Sequence, residues 1–317
     1  MDNSVLTSSL ADAMVRVTEL SAIAAARLAG RGDEKKADAA AVDAMRSAFN
    51  AVDFKGRVVI GEGERDEAPM LYIGEEVGTG KGPEIDIALD PLEGTTLTAK
   101  AMADACAVLA IAPRGGLLHA PDTYMDKLAI GPGYPEGIIS LDASPADNIK
   151  ALAKHTGRKV EDMTVCVLDR PRHQEIIDSL RSAGARVSLI SDGDVAGVIA
   201  TTNPLTGIDM YVGQGGAPEG VLAAAALKCV GGQMFGRLVF RNDDEKKRAS
   251  RVGITDFGKT YSLNELASGE TVFCATGVTK GNLLDGVLHR DGRVHTHTLV
   301  MTSTDGMVRY VRSSRKI

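Results

Sequence analysis

Residues 164–190 read TVCVLDRPRHQEIIDSLRSAGARVSLI. The apolar run 164–168 predicts a strand, closed off by Asp169 and Pro171. The spacing over 172–183 predicts a helix, and 186–190 reads as a second strand. The same rhythm continues downstream: a short helix from Asp194, a strand over 208–212, and a helix over 218–229. Strands that alternate with helices of this length predict βαβ units and a parallel sheet, which places the chain in the α/β class.

Working outward, Ser144-Pro145 opens a helix, with Ser as the cap and Pro at the first helical position. The first thirty residues predict another helix, because Leu6, Leu10, Ala13, Val17, Leu20, Ala24 and Leu28 recur at spacings of three and four. Asn3 or Ser4 is placed to cap it, and Gly30 to end it. A second, Ala-rich helix is expected over 34–50. Strands are expected at 57–61 and 85–89, and a hairpin from 107–112 to 116–119 through Arg114-Gly115. The charged stretch 242–251 reads as a helix with a solvated face, and the tail from Thr271 as mainly β. No internal repeat or low-complexity linker is visible, so the division is placed near Gly157, giving 1–157 and 158–317.

Composition narrows the function. Of 317 residues, 44% are hydrophobic and 25% charged, the ordinary globular mixture. The net charge is −6, so nucleic acid and anionic membrane are not expected partners. With 6 Tyr, 6 Phe and no Trp, stacking platforms for single strands are not expected either. No apolar run reaches the roughly 18 residues of a membrane span. Met1-Asp2-Asn3-Ser4 lacks the basic and apolar regions of a signal peptide. Cys106, Cys166, Cys229 and Cys274 are widely spaced in apolar stretches, which predicts reduced, buried thiols and a cytoplasmic location.

Asp90-Pro91-Leu92-Glu93-Gly94-Thr95-Thr96 is the strongest local signal for chemistry. Asp90 ends an apolar strand, and Pro91 is expected to stop its ladder. Asp90 and Glu93 can then aim at one point, while the start of the helix after Gly94 favours a phosphate. Two carboxylates beside an anion site make electrostatic sense with a divalent cation between them. The plainer reading is a strand-to-helix turn with a decorated cap. A second cluster, Glu62-Gly63-Glu64-Arg65-Asp66-Glu67, also follows a strand; a solvated acidic loop is its plainer reading.

Gly215-Gly216-Ala217-Pro218-Glu219-Gly220 opens an apolar helix, and Asp38 sits on the second helix. Each alone is an ordinary helix start or an exposed acid. Arg170-Pro171-Arg172-His173 and Asp192-Gly193-Asp194 both follow strands. The arginines could clamp a phosphate and the aspartates could accept from sugar hydroxyls, or both segments could simply cap loops. Gly78-Thr79-Gly80-Lys81-Gly82 lacks the first Gly and the final Ser/Thr of a Walker loop. His295 and His297 read as surface histidines, and no Gly-x-Ser-x-Gly is present to suggest acyl transfer.

Taken together, these segments resemble the class II fructose-1,6-bisphosphatases of bacteria, within the lithium-sensitive, inositol-monophosphatase-like phosphatase superfamily. The resemblance runs in family order through Gly30-Arg31-Gly32-Asp33, residues 59–64, 67–74, 86–95 and 120–125, then Arg170 to His173, Asp192 to Val195 and Gly216 to Gly220. It departs at Glu34, where the family commonly has Lys.

The resemblance implies a sugar-phosphatase fold: a layered α/β/α/β/α sandwich with a mixed N-terminal sheet and a βαβ-rich C-terminal half. It implies that Asp38 and Glu62 bind one metal, and that Asp90, Glu93 and Glu219 bind a second. Glu93, Gly94 and Thr95 would contact the departing phosphate, with Thr95, Asp90 and Glu62 in catalytic roles. Tyr124, Arg170, Pro171, Arg172, Asp192, Gly193, Asp194 and Gly216 would contact substrate. All-oxygen ligands suit Mn²⁺ or Mg²⁺. The implied activity is hydrolysis of the 1-phosphate of fructose 1,6-bisphosphate, in gluconeogenesis, by a cytoplasmic homo-oligomer (dimer or tetramer). The alternatives are an inositol or sugar monophosphatase, a bifunctional fructose/sedoheptulose bisphosphatase, or a non-catalytic sugar-phosphate sensor.

Overall fold

The computed structural model describes residues 5–63 and 70–316. Asn3, Ser4, Glu64, Asp66 and Glu67, all read above as caps or acidic candidates, lie outside the described residues. The chain forms two compact units: Met1–Leu118 with Ser268–Ile317, and His119–Ala267. The 157/158 division read from the sequence falls inside the second unit, just after a helix that ends at Thr156.

In the first unit, helices α1 (Ser8–Ala26) and α2 (Glu34–Phe49) pack together. Thr7 caps α1, accepting from Leu10 N–H, and Asp33 caps α2, accepting from Lys36 N–H at 3.0 Å. The stripe Ala37, Ala41, Met45 and Ala48 of α2 is buried, which fixes the face on which neighbouring Asp38 emerges. Next in the chain come β1 (Lys55–Ile60), β2 (Glu76–Val77), β3 (Glu84–Glu93), the short helix α3 (Thr95–Ala99) and β4 (Cys106–Pro113). Pro91 does not end the ladder. β3 continues through it, with an irregularity between Asp90 and Glu93, and pairing resumes at Glu93 opposite Cys106. Proline is tolerated because the irregularity relieves it of a ladder bond. The expected hairpin after β4 does not form, because β3 and the later strand β11 occupy the two edges of β4.

The second unit contains β5 (Tyr124–Ile130), α4 (Pro145–Thr156), β6 (Thr164–Leu168), α5 (Gln174–Ser182), β7 (Arg186–Ile190), α6 (Asp194–Ala200) and β8 (Met210–Gly216). It continues with α7 (Ala217–Val230), β9 (Gln233–Val239), α8 (Asp243–Arg251), β10 (Thr260–Ser262) and α9 (Leu263–Leu266). Its sheet runs β10-β9-β5-β8-β6-β7. β6 pairs in parallel with β7 and β8, as the βαβ reading expects, and β5 pairs antiparallel with β8 and β9. Val165, Val167, Leu128, Ile149 and Leu180 are central in its core.

The tail returns to the first unit as β11 (Val272–Gly277), β12 (Leu288–Arg290), β13 (Arg293–Thr302) and β14 (Met307–Lys316). The first sheet therefore runs β12-β13-β11-β4-β3-β1-β2, with β14 on β13. It is mixed, because β1 and β3 run parallel while the other pairs are antiparallel. Met14, Phe49, Phe54, Ile87, Leu109 and Cys274 are buried in its core. All four cysteines are buried and in no disulfide. His297 is a correction: it is buried, and its Nδ1 accepts from Asp285 N–H at 3.0 Å, an acidic neighbour twelve residues away. Among the described residues, no helix is long and apolar enough to cross a membrane.

Candidate metal centre and substrate site

The first unit gathers carboxylates from three elements. Asp38 comes from α2, Glu62 follows β1, and Asp90 and Glu93 flank the irregularity in β3. Skipping a pairing at Pro91-Leu92 lets both β3 side chains reach one place; candidate ligand oxygens of Asp90 and Glu93 lie within 4.8 Å of each other. Leu92 N–H donates to Asp90 Oδ1 at 2.9 Å, which fixes that carboxylate. Burial, with Asp90 nearby, raises Asp38 to about 6. Burial, with Asp90 and Asp38 nearby, raises Glu62 to about 8. Anions held this close out of water call for a counter-charge.

The loop carrying Glu62 is tied to α2. Glu62 N–H donates to Leu71 O at 3.0 Å, and Leu71 N–H donates to buried Glu75. Arg46, on α2, completes the chain by pairing with Glu75 at 2.6 Å. A Cβ at Gly61 would collide with Leu71 O, so only glycine permits this approach. Gly94 takes a left-handed conformation (φ 86°) and sets Thr95 at the start of α3.

Four oxygen donors without His fit a hard divalent cation, Mn²⁺ or Mg²⁺, better than zinc. Cys106, opposite Glu93, does not offset this. Burial, then Glu93 and Asp90, push its thiol well above the usual range and keep it neutral. A cavity of about 720 Å³ in the first unit contains none of these groups. It is lined by Arg57, Arg114 and the Gly78–Gly80 turn, and it lacks the clustered carboxylates of raised pKa that mark a site of chemistry.

The second unit collects the other expected residues. Lys127, buried in β5, pairs with Asp194 and donates to Gly216 O at 2.8 Å. A Cβ at Gly215 would strike Asp194, and one at Gly216 would strike Glu219, so the paired glycines let both carboxylates lie against the backbone. Gly193 is left-handed (φ 79°) and starts α6 at Asp194. His173 spans two strands: Gln214 N–H donates to Nε2 at 2.8 Å, and Nδ1 lies 2.7 Å from Leu168 O. The Nδ1–H tautomer follows, because Nε2 already accepts.

The two arginines separate around Pro171. Arg170 pairs with Asp192 at 3.7 Å and donates to Ser191 O at 2.5 Å. Arg172 donates to Gln214 O at 2.8 Å and stands 4.9 Å from the Tyr124 ring centroid. Sequence reasoning missed Lys127, Arg241 and Glu245. Glu245 is buried on the supposedly solvated α8, accepts from Thr123 at 2.8 Å, and holds Arg241, which stands 4.8 Å from the Tyr124 ring. The available signal was a Lys inside an apolar strand and an acid three residues after a helix cap.

Comparison with known proteins agrees over nearly the whole chain. The pattern of the family "Bacterial fructose-1,6-bisphosphatase, glpX-encoded" matches residues 8–315. A D-fructose 1,6-bisphosphatase class 2/sedoheptulose 1,7-bisphosphatase of Prochlorococcus marinus (strain NATL1A) is 45% identical, over 96% of this chain and 95% of its own length. A relative of the same name from Synechococcus sp. (strain JA-2-3B'a(2-13)) is 46% identical, over 94% of this chain and 93% of its own. Among solved structures, extragenic suppressor protein suhB of Bartonella henselae aligns with 62% of this chain and 74% of its own, at 14% identity and a TM-score of 0.35, too loose a likeness to bear on the fold.

Proposed function

The chain belongs to the bacterial fructose-1,6-bisphosphatase family, and on that premise we propose that it hydrolyses the 1-phosphate of fructose 1,6-bisphosphate to fructose 6-phosphate and phosphate. The observation that carries this reading is the gathering of Asp38, Glu62 and Asp90 into one repelling group, with Glu93 beside Asp90. Asp38 and Glu62 would hold one divalent cation, and Asp90 and Glu93 a second. Glu219 is added from its match to the family's pattern, and its carboxylate against Gly216 suits a ligand on a short tether.

Bound there, Mn²⁺ or Mg²⁺ would supply charge neutralisation at the phosphoryl oxygens and a water of lowered pKa. The chain's own groups position the reactants, which is most of what phosphoryl transfer requires. Thr95, set by the turn at Gly94, would orient the attacking water. Asp192 and Asp194 would accept from sugar hydroxyls. Tyr124 and Arg172 would hold the far phosphate, with Arg170 steadying Asp192.

The relatives' double name favours sedoheptulose 1,7-bisphosphate as a second substrate. We place the enzyme in the cytoplasm, in gluconeogenesis, as a homo-oligomer; four buried cysteines in no disulfide support a reducing compartment. The test is phosphate release from a panel of sugar mono- and bisphosphates, with Mn²⁺, with Mg²⁺ and with chelator. Metal-dependent release from the bisphosphates is expected. Metal-dependent binding without release would instead identify a sensor, and equal rates on inositol monophosphates a monophosphatase.

A further inference from the structure

Two guanidiniums stand against one aromatic ring. Arg172 Cζ lies 4.9 Å and Arg241 Cζ 4.8 Å from the centroid of Tyr124. Each is anchored along one edge. Arg172 donates through Nε and Nη2 to Gln214 O. Arg241 engages Glu245 through Nε at 2.6 Å and Nη2 at 2.5 Å. The Nη1 of both, like the Tyr124 hydroxyl, takes no part in these bonds.

The anchoring is unusually complete for a surface arginine. Glu245 is buried, accepts from Arg241 N–H at 2.7 Å and from Thr123 Oγ1 at 2.8 Å, and so ties Arg241 to the residue just before Tyr124. Arg248, one turn further along α8, donates to Asp122 O at 3.0 Å. Helix α8 thus clamps residues 122–124. Glu245 and Asp122 both act on Arg241, with Arg248 also beside Asp122, while Arg172 has only a carbonyl partner, so three guanidiniums face two carboxylates and the cluster keeps a surplus positive charge. Planar guanidiniums fixed at one edge and open at the other suit bidentate contact with a phosphate.

We propose that Arg241 joins Arg172 and Tyr124 in holding the terminal phosphate that is not hydrolysed, and so determines specificity for bisphosphates over monophosphates. This rests on the phosphatase reading above and extends it to a residue outside the expected set. It also replaces the adjacent pair Arg170 and Arg172 as the clamp, because Arg170 is committed to Asp192 and Ser191.

The experiment compares wild type, Arg241→Gln and Arg241→Lys on fructose 1,6-bisphosphate and on fructose 1-phosphate, which lacks the terminal phosphate. The expected result for Arg241→Gln is a rise of about tenfold in KM for the bisphosphate, the factor equivalent to one modest charged contact, with a far smaller change on the monophosphate. Arg241→Lys should fall between the two, since it keeps the charge and loses the fork. Equal losses on both substrates, or no change on either, overturn the proposal.

Calorimetric binding of fructose 6-phosphate to the metal-free protein separates this from the catalytic reading. If wild type binds it and Arg241→Gln binds about tenfold more weakly, Arg241 stands even where no hydrolysis is seen. If wild type does not bind it, or the variant binds equally well, the assignment falls.

Discussion

Ser21 Oγ lies 3.0 Å from Pro91 O and 3.0 Å from Ala41 O. The hydroxyl is fully buried on α1 and joins the irregularity beside Asp90 to the turn of α2 that carries Asp38. Its single proton is shared between two carbonyls. Ser21→Ala should therefore destabilise the protein by about 1–3 kcal/mol, chiefly through the lost buried bond to Pro91 O, since Ala41 O keeps its bond within α2. It should also weaken Mn²⁺ binding, because the two carboxylates lose their common brace. Denaturant unfolding and titration calorimetry measure both; unchanged Mn²⁺ affinity would show that the brace supports the fold alone.

Glu62→Gln and Asp90→Asn remove charge while keeping shape. Turnover should fall by more than about 100-fold, beyond the usual loss from disturbing a metal ligand's support. Far-UV circular dichroism should be unchanged. Near-normal rates at saturating Mn²⁺ would show that neither side chain is a ligand.

Asp38 at about 6 and Glu62 at about 8 both lie above their ordinary values of 3.8 and 4.5. The folded metal-free protein therefore holds protons that the unfolded chain releases. The stability these groups contribute is fully present below pH 4 and is lost as pH rises towards 8. A bound cation replaces those protons, so the thermal gain from Mn²⁺ should grow from pH 6 to pH 8. Melting curves with Mn²⁺ and with chelator check this, and a gain that shrinks over that range contradicts the sign.

His173 acts in the opposite direction. Burial, with Arg172 close by, holds it below 6.5 despite its two backbone contacts. Its contribution is complete above pH 6.5 and declines as pH falls through its lowered value, because the unfolded chain takes up the proton first. His173→Phe should remove this acid-side decline while costing about 1–3 kcal/mol at neutral pH through unpaired Gln214 N–H, since Leu168 O still accepts from Arg170 N–H. Stability measured from pH 5 to 8 distinguishes the two effects.

Lys127 and Asp194 are both buried, and Tyr211 OH also approaches Asp194, at 3.4 Å. Lys127→Met leaves a buried carboxylate without its cation, at a cost of about 3–5 kcal/mol. Adding Asp194→Asn should recover part of that loss, and the double-mutant cycle gives the coupling. Strictly additive losses would mean that the pair is not coupled.

Much of this was legible in the residues. The alternation from Thr164 onward announced parallel pairing, and β6 and β7 fall where the apolar runs placed them. Local patterns failed where distant chain decides the outcome. The edges of β4 belong to β3 and β11, and no window around Arg114 shows residues 272–277 arriving. Pro91 suggested a stop because the ladder's irregularity is invisible in sequence. Arg241 and Glu245 were hidden in a helix whose charge density suggests solvent, since composition does not reveal which single acid turns inward. His297 was misread for the same reason: Asp285 reaches it through a loop.

The return of Ser268–Ile317 to the first unit also bears on biosynthesis. The His119–Ala267 unit is contiguous, so it can fold on the ribosome as soon as it emerges. The partner strand that β4 needs on its second edge is made only after the whole of that unit has been translated. Until then the apolar strand of residues 106–113 has an open flank, the period in which chaperone engagement would protect the nascent chain from aggregation.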